Sequence, residues 1–345
     1  MAKLFLTGVT GYVGGSVFVR LYEQHPEYKL TVLLRKTPDD FTAKFPGVKI
    51  VNGAWETPAV LEDAASEVDI VVHCGDSDHL GAVTALLNGL VKQNRKVFYI
   101  HLSGTGTLSD YQDTDLFRGK LNPKTYSDIH DIDEITSRPM ERLHRVTDSS
   151  IQAIGERYKD TVKTAIVAPP SIYGKGWGPG RTDSFYFPLF VPEVRKHGFT
   201  MYCNEGSNRK GWTHIEDLVD VYQLLIARAA AGGDGVTWGK NAYFLTTTQD
   251  ASQKELATAV GKVLHEKNIL PSPEPKQVDE DFISKTLTQF FVPNFGYYML
   301  ASNSRGVPER AKKELGWGGG RAPPLWEVLP GEVEAFFNRP DENFR

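Results

Sequence analysis

Three glycines, Gly8, Gly11 and Gly14, follow one another at three-residue intervals within MAKLFLTGVTGYVGG, the first fifteen residues. At that spacing each suits a separate purpose. The first permits a tight turn, the second lets main chain come within contact of a pyrophosphate, and the third lets a helix pack closely on a strand. The phosphates would rest on unpaired N–H groups at a helix N-terminus, the positive end of its dipole. Glycine-rich turns are common, so the flanks decide between this reading and an ordinary strand-to-helix turn. Lys3–Thr7 is an apolar, β-favouring run and Tyr12–Gln24 is amphipathic, which is the strand-turn-helix context that a dinucleotide site requires. A second group, His73, Asp76, Asp78 and His79, has side chains able to hold a metal. It falls at the strand edge where the dinucleotide would lie, so no metal is expected; Asp76 is expected to cap a turn or touch the cofactor.

Holding these groups in place takes a sheet. Lys29–Arg35, Val48–Val51, Val68–Cys74 and Lys96–Leu102 read as further strands, near-continuously apolar as strands covered on both faces are. Helix-length segments, Pro58–Ser66 and Leu80–Asn94, lie between them, so the alternation predicts a doubly wound α/β sheet. Residues 104–138 form a polar, acidic excursion with at most short helices, a length usually reserved for function. A helix is predicted over Pro139–Lys159 and a sixth strand over Val162–Ala168, stopped by Pro169 and Pro170. Beyond it, 171–215 is loop-rich and aromatic. Helices are expected at Ile215–Ala231, Ser252–Lys267, Pro308–Leu315 and Leu325–Asn338, and a strand at Ala242–Thr246. The predicted organisation is a dinucleotide-binding domain over 1–170 and a smaller C-terminal α/β substrate lobe over 171–345, with some elements returning to the sheet.

Composition narrows the partners. With 345 residues, 40% apolar and 24% charged, the chain can bury a large core and shows no sign of disorder. A net charge of −4 and a pI near 6.2 provide no general attraction to nucleic acid or anionic membrane. Two cysteines, Cys74 and Cys203, are too few for a disulfide framework, which points to a reducing compartment. No apolar run approaches the ~18 residues of a membrane span, and the chain starts directly with a strand, so the cytoplasm is expected.

Taken in order, Thr7-Gly8-x-x-Gly11-x-x-Gly14, the Ser103 region, Pro169-Pro170-Ser171-Ile172-Tyr173-Gly174, Trp212-Thr213-His214-Ile215-Glu216-Asp217 and Ala311-x-x-Glu314-Leu315-Gly316-Trp317 make the chain resemble the extended short-chain dehydrogenase/reductase family. That group contains nucleotide-sugar epimerases and dehydratases and dihydroflavonol-type reductases. The resemblance runs nearly the full length and implies a Rossmann-type sheet. It implies a nicotinamide dinucleotide on Gly8, Gly11, Tyr12, Val13 and Gly14, its ribose read by the end of strand two, and its nicotinamide end lined by Pro169, Pro170, Ser171 and Ile172. At the ribose position Arg35 and Lys36 stand where NAD binders carry a carboxylate, which favours the 2′-phosphate of NADP(H).

The family's catalytic Tyr, and the Lys four residues after it, are replaced. Counting back from Pro169 by the family's helix length puts those positions near His144 and Asp148, and Tyr126 is followed by His130 rather than Lys. Residues four apart share a helix face, and a carboxylate beside an imidazole favours its protonated form. The expectation is therefore His144 as general acid, Asp148 as its orienting partner, and Ser103 or Thr105 as the group polarising the substrate oxygen, with Tyr173 as a reserve proton donor. The resemblance also implies basic residues of the C-terminal lobe on a substrate pyrophosphate, for which Arg181, Arg209 and Lys210 are candidates. Against that, the aromatics from Trp177 to Trp212, with Phe282, Phe290, Phe291, Phe295, Tyr297 and Tyr298, favour a mostly apolar pocket even though most of them should fill core. The leading expectation is an NADP(H)-dependent oxidoreductase or epimerase-like enzyme acting on a carbonyl or hydroxyl of a small apolar or aromatic substrate, with a possible homodimer. A cofactor-sensing regulator and a non-redox isomerase or cyclase are the alternatives.

Overall fold

The computed structural model describes residues 1–113, 115–288 and 292–337. Its centre is a seven-stranded parallel sheet of β1 (Lys3–Thr7), β2 (Lys29–Leu34), β3 (Lys49–Asn52), β4 (Ile70–His73), β5 (Val97–Leu102), β6 (Val162–Ala168) and a late strand, Tyr243–Leu245. From one edge the order is Tyr243–Leu245, β6, β5, β4, β1, β2, β3. The chain reverses between β1 and β4, where Leu4 pairs with Ile70 and Thr7 with His73. A doubly wound sheet opens its crevice at such a reversal, outside the carboxyl ends of the strands.

The continuous apolar character of the strands follows from cover on both faces. Leu4 and Leu6 of β1 go to one core beneath α1 (Tyr12–Gln24), and Phe5 between them goes to the opposite core beneath α2 (Pro58–Ser66) and α3 (Leu80–Lys92). The alternation of side chains along a strand requires this split. The sequence boundary at 170 is crossed repeatedly. The helix Ile215–Ala230 packs on the α1 side of the sheet, and Tyr243–Leu245 adds in parallel to β6.

The helix predicted over Pro139–Lys159 begins instead at Arg145; it runs Arg145–Arg157 and is α4 here. The residue before it, His144, has φ +69, a left-handed conformation that ends any helix arriving from the N-terminal side. Side chains hold the preceding segment in its non-helical path. Arg145 donates to the carbonyls of Arg138 and Thr136, and Arg142 donates to the Ser109 carbonyl. The helix expected over Pro308–Leu315 is present: Glu309 and Arg310 are α-helical and lead into a wide π-type turn, Ala311–Leu315, closed by Gly316 at φ +69.

The second lobe has its own three-stranded sheet, β7 (Ser171–Tyr173), β8 (Arg209–His214) and Gln249–Ser252, with β8 in the middle. Its core joins Trp212, Tyr186, Phe187 and Phe190 to Leu325, Leu329 and Val333 of the last helix, Leu325–Phe337. Among the described residues no helix is long and apolar enough to cross a membrane. Phe290, Phe291 and Asn338 lie outside the described residues.

Candidate active site

A cavity of about 880 Å³ opens where the carboxyl ends of β1, β4, β5 and β6 meet the second lobe. Gly8, Gly11, Tyr12 and Val13 form part of its wall, and the geometry accounts for each glycine. Gly8 has φ +76, and a Cβ there would stand 2.2 Å from the Cys74 carbonyl oxygen; a Cβ at Gly14 would stand 2.4 Å from the Gly8 oxygen. Gly11 is different: its only near atom is the Gly8 oxygen at 3.1 Å, so a side chain would instead grow into the cavity. Gly11 is also the N-cap of α1 and supplies no side-chain cap. Among the described residues nothing accepts from the amides of Tyr12 and Val13, leaving donors for a diphosphate at the helix end. Gly14 backs the turn and does not itself line the cavity. These residues fit a dinucleotide.

At the end of β2 Arg35 is exposed and lines the cavity; Lys36 is exposed and does not. Asp76 lines the wall and accepts from the Asp78 amide at 3.0 Å, which caps the turn. The neighbouring metal-type side chains diverge. His73 is buried between Thr7 Oγ1 at 2.6 Å and the Asp76 carbonyl, and burial pushes its pKa down to about 4. His79 Nδ1 accepts from the Ala82 amide, while Asp78 turns to His144. Trp55, which the sequence did not single out, lines the wall and covers Gly75, where a Cβ would meet its ring at 2.3 Å.

Ser103, Thr105 and His144 all line the same stretch of wall. The expected pairing of His144 with Asp148 does not occur. Because His144 is the left-handed residue ahead of the helix, its imidazole leaves the helix face, and Nδ1 lies 3.0 Å from Asp78 Oδ1 and 3.4 Å from Ser77 Oγ. Gly104 and Gly106 make room for the ring; a Cβ on Gly104 would stand 2.8 Å from Nε2. Burial alone would lower the His144 pKa, but the hydrogen bond and charge of Asp78, helped by Asp148 and Asp76, outweigh it and raise the value. Asp78 responds in the opposite sense, its cost of burial exceeded by the His144 contact that lowers its pKa.

Asp148 is fully buried and takes other partners. Ser103 donates to its Oδ2 at 3.0 Å and Tyr243 donates to the same oxygen at 2.9 Å, while Oδ1 has no partner among the described residues. Burial raises its pKa to about 6 against the opposing pull of His144, Tyr243 and Ser103. The Ser103 proton is thus committed inward, whereas the Thr105 hydroxyl has no hydrogen bond among the described residues. Thr105 is anchored by its main chain, its amide donating to the Pro169 carbonyl and its carbonyl accepting from Ser304. Pro169, Pro170, Ser171 and Ile172 complete this side of the wall.

From the second lobe come Phe185, Tyr186, Phe295, Tyr298, Met299, Arg181 and Lys210. Arg181 sits by the glycine turn, its amide bonded to the Thr10 carbonyl and its guanidinium to the Ser184 carbonyl. Arg209 is outside the wall, paired with Asp250 and Glu255. The reserve donor Tyr173 is also outside: its hydroxyl donates to the Pro323 carbonyl and accepts from Gln249. Tyr126 accepts from Arg138 away from the cavity. Trp55 and Tyr243 are the contributors missed from sequence, and Asp78, singled out there only as one of a group able to hold a metal, is the partner of His144.

The NAD dependent epimerase/dehydratase family matches residues 4–238. An oxidase of Acremonium sp., ucsJ, is 27% identical over 99% of this chain and 98% of its own length. An uncharacterised protein of Saccharomyces cerevisiae is 25% identical over 91% and 94%. Among solved structures, the UDP-glucose 4-epimerase of Thermotoga maritima superposes with a TM-score of 0.64 at 16% identity, covering 97% of this chain and 98% of that one. The dTDP-glucose 4,6-dehydratase of Bacillus anthracis gives 0.63 at 14%, covering 97% and 96%. With its glycine turn, its sheet order and this match over most of the sequence, the chain belongs to the NAD dependent epimerase/dehydratase family.

Proposed function

We propose that the protein is an NADP(H)-dependent oxidoreductase acting on a carbonyl or hydroxyl of a small, largely apolar or aromatic substrate, with His144 in the place of the family's catalytic tyrosine. The observation that carries this reading is the Asp78–His144 pair: Asp78 occupies Nδ1 and favours the imidazolium, and Nε2 remains on the cavity side against Gly104 and Gly106. A nicotinamide held by the glycine turn and the wall at Pro169, Pro170, Ser171 and Ile172 would supply or accept the hydride. His144 donates its Nε2 proton to the oxygen of a carbonyl being reduced and takes it back in the reverse direction. Thr105, whose hydroxyl is uncommitted, polarises that oxygen, while Ser103 is held by Asp148. Arg35, exposed on the cavity wall at the end of β2, would meet a 2′-phosphate there, which supports NADP(H) over NAD(H). The Acremonium relative's name, oxidase, is consistent with redox chemistry in this lineage.

The test is to mix the pure protein with NADPH and a panel of aliphatic and aromatic carbonyl compounds and follow the reduced-nicotinamide absorbance. Consumption supports the reading. Tight NADPH binding with no consumption across the panel sinks it and favours a cofactor sensor or a non-redox isomerase.

A further inference from the structure

The cavity wall carries four basic side chains, and three are accounted for by the reading above. Arg35 stands at the ribose end, Arg181 is tied to Thr10 and Ser184 beside the glycine turn, and His144 is held by Asp78. Lys210 is left, in the aromatic half. It projects from β8, is buried, donates from Nζ to the Tyr298 carbonyl and lies 4.1 Å from the centre of the Tyr298 ring. Among the described residues it forms no ion pair. The acidic side chain that acts on it, Asp110, spends its oxygens on the Asn303 amide at 2.7 Å, Asn303 Nδ2 at 2.9 Å and Asn122 Nδ2 at 3.0 Å.

A buried ammonium without an anion is costly, and a side chain left in that condition on a cavity wall is stabilised by whatever negative charge the cavity receives. Its desolvation is seen in a pKa lowered to about 7. One of its three N–H donors is used by Tyr298, leaving two for a ligand. The second lobe gives this wall Phe295, Tyr298 and Met299 along with Ser304, the bridge partner of Lys210, and Arg209, the preceding residue, is taken by Asp250 and Glu255. One cation in an aromatic setting matches one negative charge.

Resting on the reading of this cavity as a substrate site, we propose that Lys210 receives a single carboxylate, so that the substrate is an aromatic or apolar monoacid rather than a diphosphate-bearing sugar nucleotide. Recognition is a charge-assisted hydrogen bond to Nζ with the ring system packed on Phe295 and Tyr298.

The test is calorimetry on the full-length protein saturated with NADP⁺, titrated with phenylacetate, its neutral counterpart phenylacetamide, and UDP. Phenylacetate is expected to bind roughly 10–100-fold more tightly than phenylacetamide. Lys210→Met should erase that difference and Lys210→Arg should keep most of it. Equal binding of acid and amide, undiminished phenylacetate binding in K210M, or UDP binding more tightly than phenylacetate would each overturn the proposal. If K210M does not fold, judged by circular dichroism, the wild-type comparison and K210R still decide. These are binding measurements, so they stand apart from turnover. A protein that selects phenylacetate yet never consumes NADPH loses the oxidoreductase reading and keeps this one.

Discussion

The pair that matters most in the site joins residues 66 positions apart, His144 and Asp78, at 3.0 Å. Helical spacing pointed to Asp148 as the partner and could not have pointed to Asp78. A left-handed residue breaks the four-residue rule, and the local cue was the residue type itself, since histidine is enriched at such positions. His144→Ala should cut carbonyl reduction by about 10²–10⁴-fold, the usual contribution of a general acid, with NADPH affinity unchanged by fluorescence titration. The pH profile gives a sharper check. With its pKa raised, His144 is protonated at low pH and loses its proton as pH rises through that value, so the reductive rate should fall on the alkaline side. Asp78→Asn removes the group that raises it, and the falling limb should move to lower pH; an unmoved limb would show that another group supplies the proton.

Asp148 yields a prediction about stability. Its folded pKa of about 6 lies above the unfolded value of 3.8, so the native state binds the extra proton. Stability from this site is fully present below about pH 4 and is lost as pH rises through about 6. Asp148→Asn cannot titrate, and its side-chain oxygen can still accept from Ser103 and Tyr243. Measured by urea denaturation, the stability of D148N relative to wild type should rise by on the order of 2 kcal/mol from about pH 4.5 to about pH 8. A constant difference would mean that Asp148 titrates alike in the folded and unfolded chains.

Among the elements, strands were the most legible because burial on both faces leaves an uninterrupted apolar run, and β1 and β6 have the predicted limits. Glycines inside helices were less legible, since a glycine that faces a cofactor and one that faces another helix look alike in sequence. The structure separates them. Gly14 of α1 abuts the Gly8 carbonyl and Cys74 behind the cofactor turn, while Gly89 of α3 faces α2, where a Cβ would stand 2.2 Å from the Glu62 carbonyl oxygen. Both resist a methyl group, with different consequences. Gly89→Ala should destabilise the fold by about 1–3 kcal/mol and leave NADPH affinity unchanged. Gly14→Ala should destabilise it similarly and also weaken NADPH, because α1 must shift relative to its own N-terminal turn. Equal losses of affinity in the two variants would mean that the turn is not the diphosphate site.

For the molecule as a whole, the expectation of a division at residue 170 came with elements returning to the sheet, and local sequence did not say which elements those were. The sheet needs Tyr243–Leu245 as its edge strand and Ile215–Ala230 as cover, both from the second half, and the cavity takes its wall from both halves. Long-range pairing of this kind leaves no trace in local periodicity, which reports faces and not partners. An interleaved chain of this kind should unfold in one transition, with tryptophan fluorescence and far-ultraviolet circular dichroism coincident. A cofactor bound in the shared cavity should then stabilise both halves together, by about 2.7 kcal/mol at one hundred times its dissociation constant. If Arg35 meets the 2′-phosphate, NADPH should stabilise the protein at lower concentration than NADH. Arg35→Ser should weaken NADPH by roughly 10–100-fold, the value of one hydrogen bond to a charged group, and leave NADH where it was. Equal weakening of both nucleotides would assign Arg35 to the adenosine in general and remove the basis for preferring NADP(H), and two separated transitions would show that the halves fold independently despite their shared sheet.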